Sequence, residues 1–167
     1  MSRIYENSGE NDIKNDNDFR IAILNKTNRA WELFLTIMND NIELHRTVTF
    51  VYGKEGYEAY PNRQNLMDYN IVLDAYLGMI TTNLCVLLGR GRNDKLSILK
   101  AKEQYDTAMI DTFYAKNEQQ LDCLFDARNQ MYAHIDNDIS DSAFNLNYDF
   151  LKVCIYFLAD LFRRGKK

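Results

Sequence analysis

The stretch Ala127–Asp136, A-R-N-Q-M-Y-A-H-I-D, gathers in one short run the side chains that can hold a phosphate and move a proton. Arg128 carries a guanidinium that stays charged at every working pH and can grip a phosphate through two parallel hydrogen bonds. His134 carries an imidazole that titrates near pH 6.5 and can serve as base or acid. Asn129 stands beside the arginine, either to hydrogen-bond a substrate or to fix the local backbone. Asp136 stands two residues beyond the histidine, where it can orient the ring through an Nδ1–H bond or cap the following turn. Leu121, Leu124, Phe125, Arg128, Tyr132 and Ile135 follow one another at helical spacing, with Arg128 where the stripe asks for another apolar residue. An arginine so placed needs an anion or several acceptors, because it cannot shed its charge.

The spacing also sets a geometric condition. From Arg128 to His134 a straight helix rises ~9 Å and turns about −120°. The two side chains therefore diverge on an undistorted helix. Either the helix ends or bends before His134, or two chains pair so that both motifs line one cleft.

Arg128, five intervening residues and His134 resemble the Arg-x(4–6)-His motif of HEPN domains, small helical proteins that include many RNA-cleaving toxins. Asn129 matches the commonest form of that motif. The run R-N-Q-M-Y-A-H-I-D is most similar to the abortive-infection AbiU-like branch, where RN, AH and an acid two residues after the histidine recur together. The segment L-L-G-R-G-R-N-D-K-L-S-I-L-K-A-K resembles that branch's arginine-containing turn before a short helix. The resemblance implies a metal-independent endoribonuclease of the toxin or phage-defence type, without a cofactor, acting as a homodimer with a composite site at its two-fold axis. In such a site His134 transfers protons, Arg128 and Asn129 hold the phosphate, and Asp136 and Tyr132 support them. The ribose 2′-OH attacks the phosphate, so RNA and not DNA is the substrate. Some HEPN toxins carry, two residues after the histidine, a tyrosine that a partner antitoxin modifies; Asp136 stands there instead. A cognate antitoxin or regulator is thus left open. Two other readings compete with this one: a non-catalytic HEPN module binding RNA, nucleotide or a partner protein, and a structural subunit in which Arg128 and His134 only hold the fold.

Length and composition set the frame. The chain of 167 residues is 46% hydrophobic and 26% charged, the profile of one globular domain. A net charge of −4 disfavours an indiscriminate nucleic-acid binder but allows a local basic pocket. The densest cluster is Arg90, Arg92, Lys95, Lys100 and Lys102, of which Arg90, Arg92 and Lys95 are candidates for RNA-phosphate contacts. Gly89-Arg90-Gly91 lacks the strand and third glycine of a dinucleotide fingerprint. Cys85, Cys123 and Cys154 are widely spaced among apolar neighbours and read as buried thiols, not as a disulfide framework or metal site. No unbroken apolar run of membrane-spanning length is apparent, and the polar N-terminus does not look like a secretory signal, so a cytoplasmic protein is expected.

The elements that must position these groups are all helices. Residues 1–18 read as a flexible polar arm, and 19–167 as a single HEPN-like helical domain. Helices are expected over about 19–52, with Gly53 as a stop and Gly53–Pro61 as a loop, then over about 62–88. Asp94 is expected to cap a helix starting at Lys95. Further helices follow over 106–116, about 118–133 and about 142–163. The architecture is an antiparallel bundle of four to five helices.

Overall fold

A computed structural model describes residues 16–58, 63–129 and 147–165. The chain folds as an all-α helical bundle, and no strand occurs among the described residues. The elements are α1 (Asp16–Glu58), α2 (Arg63–Leu88), a 3₁₀ segment (Ile98–Gln104), α3 (Thr107–Lys116), α4 (Glu118–Ala127) and α5 (Tyr148–Arg164).

Helix α2 is the hub. It packs against α1, α4, α5 and the 3₁₀ segment, while α1 also meets α5, and α3 meets α4 and the 3₁₀ segment. Leu77, Ile80, Thr81, Leu84, Cys85, Leu87 and Leu88 are buried at the three- and four-residue steps that bring one helical face to the core. Helix α5 supplies the opposing face with Phe150, Leu151, Cys154, Ile155, Phe157, Leu158 and Leu161. Phe113 of α3 stacks on Phe157 of α5, with centroids 3.7 Å apart and planes 5° from parallel, and also faces Phe150 at 6.4 Å.

The segment Ile71–Leu88 is long and apolar enough to cross a membrane by length and composition, with a mean hydropathy of 1.8. A search for an unbroken apolar run misses it because Asp74, Thr81, Thr82 and Asn83 interrupt the pattern. Its buried face is part of the bundle core.

Local polar groups set the starts of the shorter helices. The Asp106 carboxylate accepts from Met109 N at 3.0 Å. The Asn147 side chain accepts from Asp149 N at 2.9 Å. Each satisfies a backbone donor that the helix cannot. Helix α5 ends with Arg163 and Arg164 in its last turn and Gly165 at φ 58° and ψ −162°, a positive-φ conformation that suits glycine.

Three boundaries differ from the sequence reading. Helix α1 begins at Asp16, so Asp16–Asp18 belong to it and not to an arm. It also runs through Gly53 and Gly56 to Glu58, where a stop and a loop were expected. A glycine inside a helix costs about 1 kcal/mol relative to alanine but removes no hydrogen bond. The helix does end before Pro61, whose ring disfavours helical backbone just ahead of it. Third, Asp94 caps no helix at Lys95: regular structure resumes only at Ile98, with Ser97 as its cap. Residues 1–15, the expected turn at 137–141 and the first residues of the last expected helix, 142–146, lie outside the described residues.

The Phe113–Phe157 stack should carry a large share of the α3–α5 contact. Phe157→Ala is expected to lower unfolding free energy by about 3–5 kcal/mol, read as a shift of the urea midpoint with an unchanged slope.

Candidate functional site

Helix α2 delivers the chain into a tightly bonded turn. Ser97 Oγ donates to Gly89 O at 2.6 Å, Gly91 N donates to the Asp94 carboxylate at 2.6 Å, and Ser97 N donates to Asp94 O at 3.0 Å. Asp94 thus folds back into the turn. A Cβ on Gly91 would stand 2.6 Å from the Asp94 carboxylate, and one on Gly89 would stand 2.6 Å from Cys85 O. Close approach to backbone favours glycine at 89, while a side chain at 91 would displace the Asp94 carboxylate.

Arg90 is committed to the fold. Its Nη1 donates to Asp122 Oδ1 at 2.8 Å, and its guanidinium lies 5.6 Å from the Tyr114 ring centre and 5.5 Å from that of Phe125. The Tyr114 hydroxyl in turn donates to Leu88 O at 2.6 Å. Arg90 thereby ties the turn to α3 and α4, which leaves it poorly placed to be a free phosphate ligand. Arg92 and Lys95 are exposed, and neither pairs with a carboxylate among the described residues.

Helix α4 carries the first half of the motif. Leu121, Leu124 and Ala127 are buried, which sets Arg128 at the edge of the core, half-buried. The Arg128 backbone is helical (φ −60°, ψ −46°), but residues 128–129 open into a wider π-type turn. Regular α-helical progression therefore fails at the first motif residue. Arg128 Nη1 donates to Asn129 Oδ1 at 2.7 Å, and no carboxylate pairs with it among the described residues. Asn129 is exposed, while Arg128 is half-buried.

Cys85 joins the motif helix to the turn. Its thiol donates to Leu124 O at 3.7 Å. Burial pushes its pKa up to about 12, the Arg128 charge pulls it down and Asp94 pushes it up. Arg128 and the Asp94 turn thus lie within electrostatic reach of one buried atom. Burial also raises Cys154 and Cys123, and all three cysteines are free and buried, as expected from their apolar neighbours.

The structure therefore brings Arg128 and Asn129 together beside the turn that bears Arg90. His134, Asp136 and Tyr132 lie outside the described residues.

One functional-looking side chain escaped the sequence reading. Arg20 of α1 is only 2% exposed, its Nε donates to Leu96 O at 2.9 Å, and its Nη1 is buried without a hydrogen-bond partner. Beside it the Tyr105 hydroxyl donates to Asn17 Oδ1. The signal was in the spacing: Arg20, Leu24, Thr27, Trp31 and Phe34 form one buried stripe, and Arg20 interrupts it just as Arg128 interrupts that of α4. Nearby, a cleft of about 460 Å³ opens between the start of α1 and the turn, lined by Asp16, Phe19, Val86 and Asn93–Leu96.

Comparison of the chain with family models, with curated proteins and with solved structures finds no match.

The raised thiols make two linked expectations. In the folded protein the three cysteines should react slowly with a disulfide reagent at pH 8, and all should react at once in urea. The Cys85 thiol titrates at 9.0 in its ordinary state and at about 12 when folded. The unfolded chain therefore loses this proton first, so stability is full below pH 9 and is lost as pH climbs toward 12. Urea midpoints measured at pH 8, 9.5 and 10.5 should fall in that order.

Proposed function

We propose that the protein is a metal-independent endoribonuclease of the HEPN toxin or abortive-infection type. The observation that carries this reading is the different use made of three arginines. Arg20 and Arg90 are bound into the fold by a carbonyl and by a carboxylate with two rings. Arg128 is held only by its neighbour Asn129 among the described residues. Among the described residues no carboxylate or tyrosine locks Arg128 into the bundle. A guanidinium oriented by a side-chain amide, with donors to spare, suits a phosphate.

In this mechanism His134 takes the proton of the ribose 2′-OH, directly or as one of a pair of histidines brought together by two chains. The 2′-oxygen attacks phosphorus, Arg128 steadies the charge on the crowded phosphate, and an acid protonates the leaving 5′-oxygen. The product is a 2′,3′-cyclic phosphate. Asn129 holds the Arg128 fork, and Asp136 orients the imidazole. The wide turn at residues 128–129 supports a motif that departs from a straight helix, and the composite site of a homodimer meets the same need. Arg92 and Lys95 remain as auxiliary phosphate contacts; Arg90 is a structural residue beside them. Such an enzyme works in the cytoplasm, where its RNA is.

Purified protein incubated with transfer RNA in EDTA tests the reading. Wild type should leave 2′,3′-cyclic ends, and His134→Ala should lose at least about 100-fold in rate while keeping its circular dichroism and urea midpoint. Arg128→Lys should also lose rate, because an ammonium cannot reproduce the fork. No cleavage by folded wild type, with RNA still retained in a binding assay, would replace the ribonuclease by a non-catalytic RNA-binding module. Arg92→Ala should weaken RNA binding without loss of stability. Arg90→Ala should instead lower stability.

A further inference from the structure

The cleft of about 460 Å³ beside the start of α1 is within the size range of small-molecule sites. Its walls are fixed from behind. Arg20 Nε donates to Leu96 O, which ties the turn to α1, and Ser97 Oγ donates to Gly89 O, which closes the turn on itself. The cleft is therefore built into the folded bundle. Phe19, Val86 and Leu96 give it an apolar lining, and Phe19 is 46% exposed and takes no part in the core. Asp16, Asn93 and Lys95 supply its polar groups. None of these three side chains has a hydrogen bond or ion pair among the described residues. Asp94 also borders the cleft, but its carboxylate is engaged by Gly91 N. Arg92, next to Asn93 in the turn, is exposed and pairs with no carboxylate among the described residues.

An aromatic ring, a free carboxylate, a free amide and two free cations thus lie at or beside one opening. Each has a counterpart in a guanine nucleotide. Of the four RNA bases only guanine presents two adjacent donors, N1–H and the N2 amine, on its pairing edge. A carboxylate has two oxygens to accept them. The O6 beside those donors accepts from an amide. Adenine and cytosine would turn a ring-nitrogen lone pair toward the carboxylate, and uracil would set a carbonyl on each side of its one donor. The base also needs an aromatic face to lie on, and the phosphate needs cations.

We propose that this cleft is a guanine site. The base lies against Phe19, the Asp16 carboxylate accepts from N1–H and the N2 amine, and the Asn93 amide donates to O6. Lys95, with Arg92 beside it, meets the phosphate. The guanine belongs to a free nucleotide or to an unpaired position in a single strand of RNA. The site uses none of Arg128, Asn129 and His134, so it stands whether or not the protein cuts RNA.

Calorimetric titration of the full-length chain with 5′-GMP and with 5′-AMP tests it. GMP should bind about tenfold more tightly than AMP, or better, the discrimination that a bidentate pair gives. Asp16→Asn should bring GMP down to the level of AMP, and Phe19→Ala should weaken GMP about tenfold. Both side chains are exposed, so both variants should keep the wild-type urea midpoint, and a loss of binding is then not a loss of fold. A hexamer of 2′-O-methyl RNA, which cannot be cut, distinguishes the two sources. If RNA supplies the guanine, a hexamer with one guanine among adenines binds more tightly than GMP, and the all-adenine hexamer does not. If the free nucleotide supplies it, GMP binds more tightly than either hexamer. Equal affinities for GMP and AMP, or a preference for GMP that survives Asp16→Asn, would overturn the proposal. Absence of binding to GMP and to both hexamers would also overturn it and leave the cleft to another occupant, such as residues 1–15 of the chain itself.

Discussion

Everything else in the bundle depends on the burial of one face of α2. That face is apolar over its last three turns, and no single neighbour covers it; α1, α4, α5 and the 3₁₀ segment each take a part. Water must be excluded from all of these contacts together, which makes the helices interdependent. The turn that follows Leu88 inherits its position from this packing. Its hydrogen bonds between Gly89, Gly91, Asp94 and Ser97 then hold the chain so that Arg90 reaches across to α3 and α4.

A bundle that buries arginine must answer each charge, and this one answers in three ways. Arg20 is given a carbonyl at full burial. Arg90 keeps partial exposure, with an acid at its fork and aromatic faces along its plane. Arg128 is left at the rim of the core, where only an amide from the next residue holds it among the described residues. Burying Arg20 costs desolvation; both of the first two arrangements join parts of the chain distant in sequence. Among the described residues the third joins nothing distant. That contrast, more than the spacing of the motif, is what singles out Arg128 in the reading proposed above.

The helical class was legible because periodic apolar stripes persist through every element, and the absence of strand pattern agreed with them. A helix boundary was legible where a polar cap acts through local backbone chemistry, as at Asp106. Boundaries were illegible where a residue type suits more than one backbone arrangement. Gly53 looks like a stop but lies within α1, and Asp94 looks like a cap but spends its carboxylate on Gly91 N. For the site, residue types suggested that Arg128 interrupts an apolar stripe, and it does sit at the core's edge. The structural employment of Arg90 could not be read from sequence, since Asp122, Tyr114 and Phe125 are brought to it only by folding. Arg20 is legible by the rule applied to Arg128, since it too interrupts an apolar stripe.

The sole tryptophan gives this architecture a built-in optical reporter. Trp31 is buried in α1 and stacks 5.5 Å from Phe34, which in turn meets Tyr148 at the start of α5 edge-on. Its indole emission is therefore sensitive to the seam between the first and last helices, the two elements farthest apart in sequence. Opening of that seam admits water to the ring and shifts the emission to the red, while an event confined to α3 leaves the colour of the protein's fluorescence unchanged.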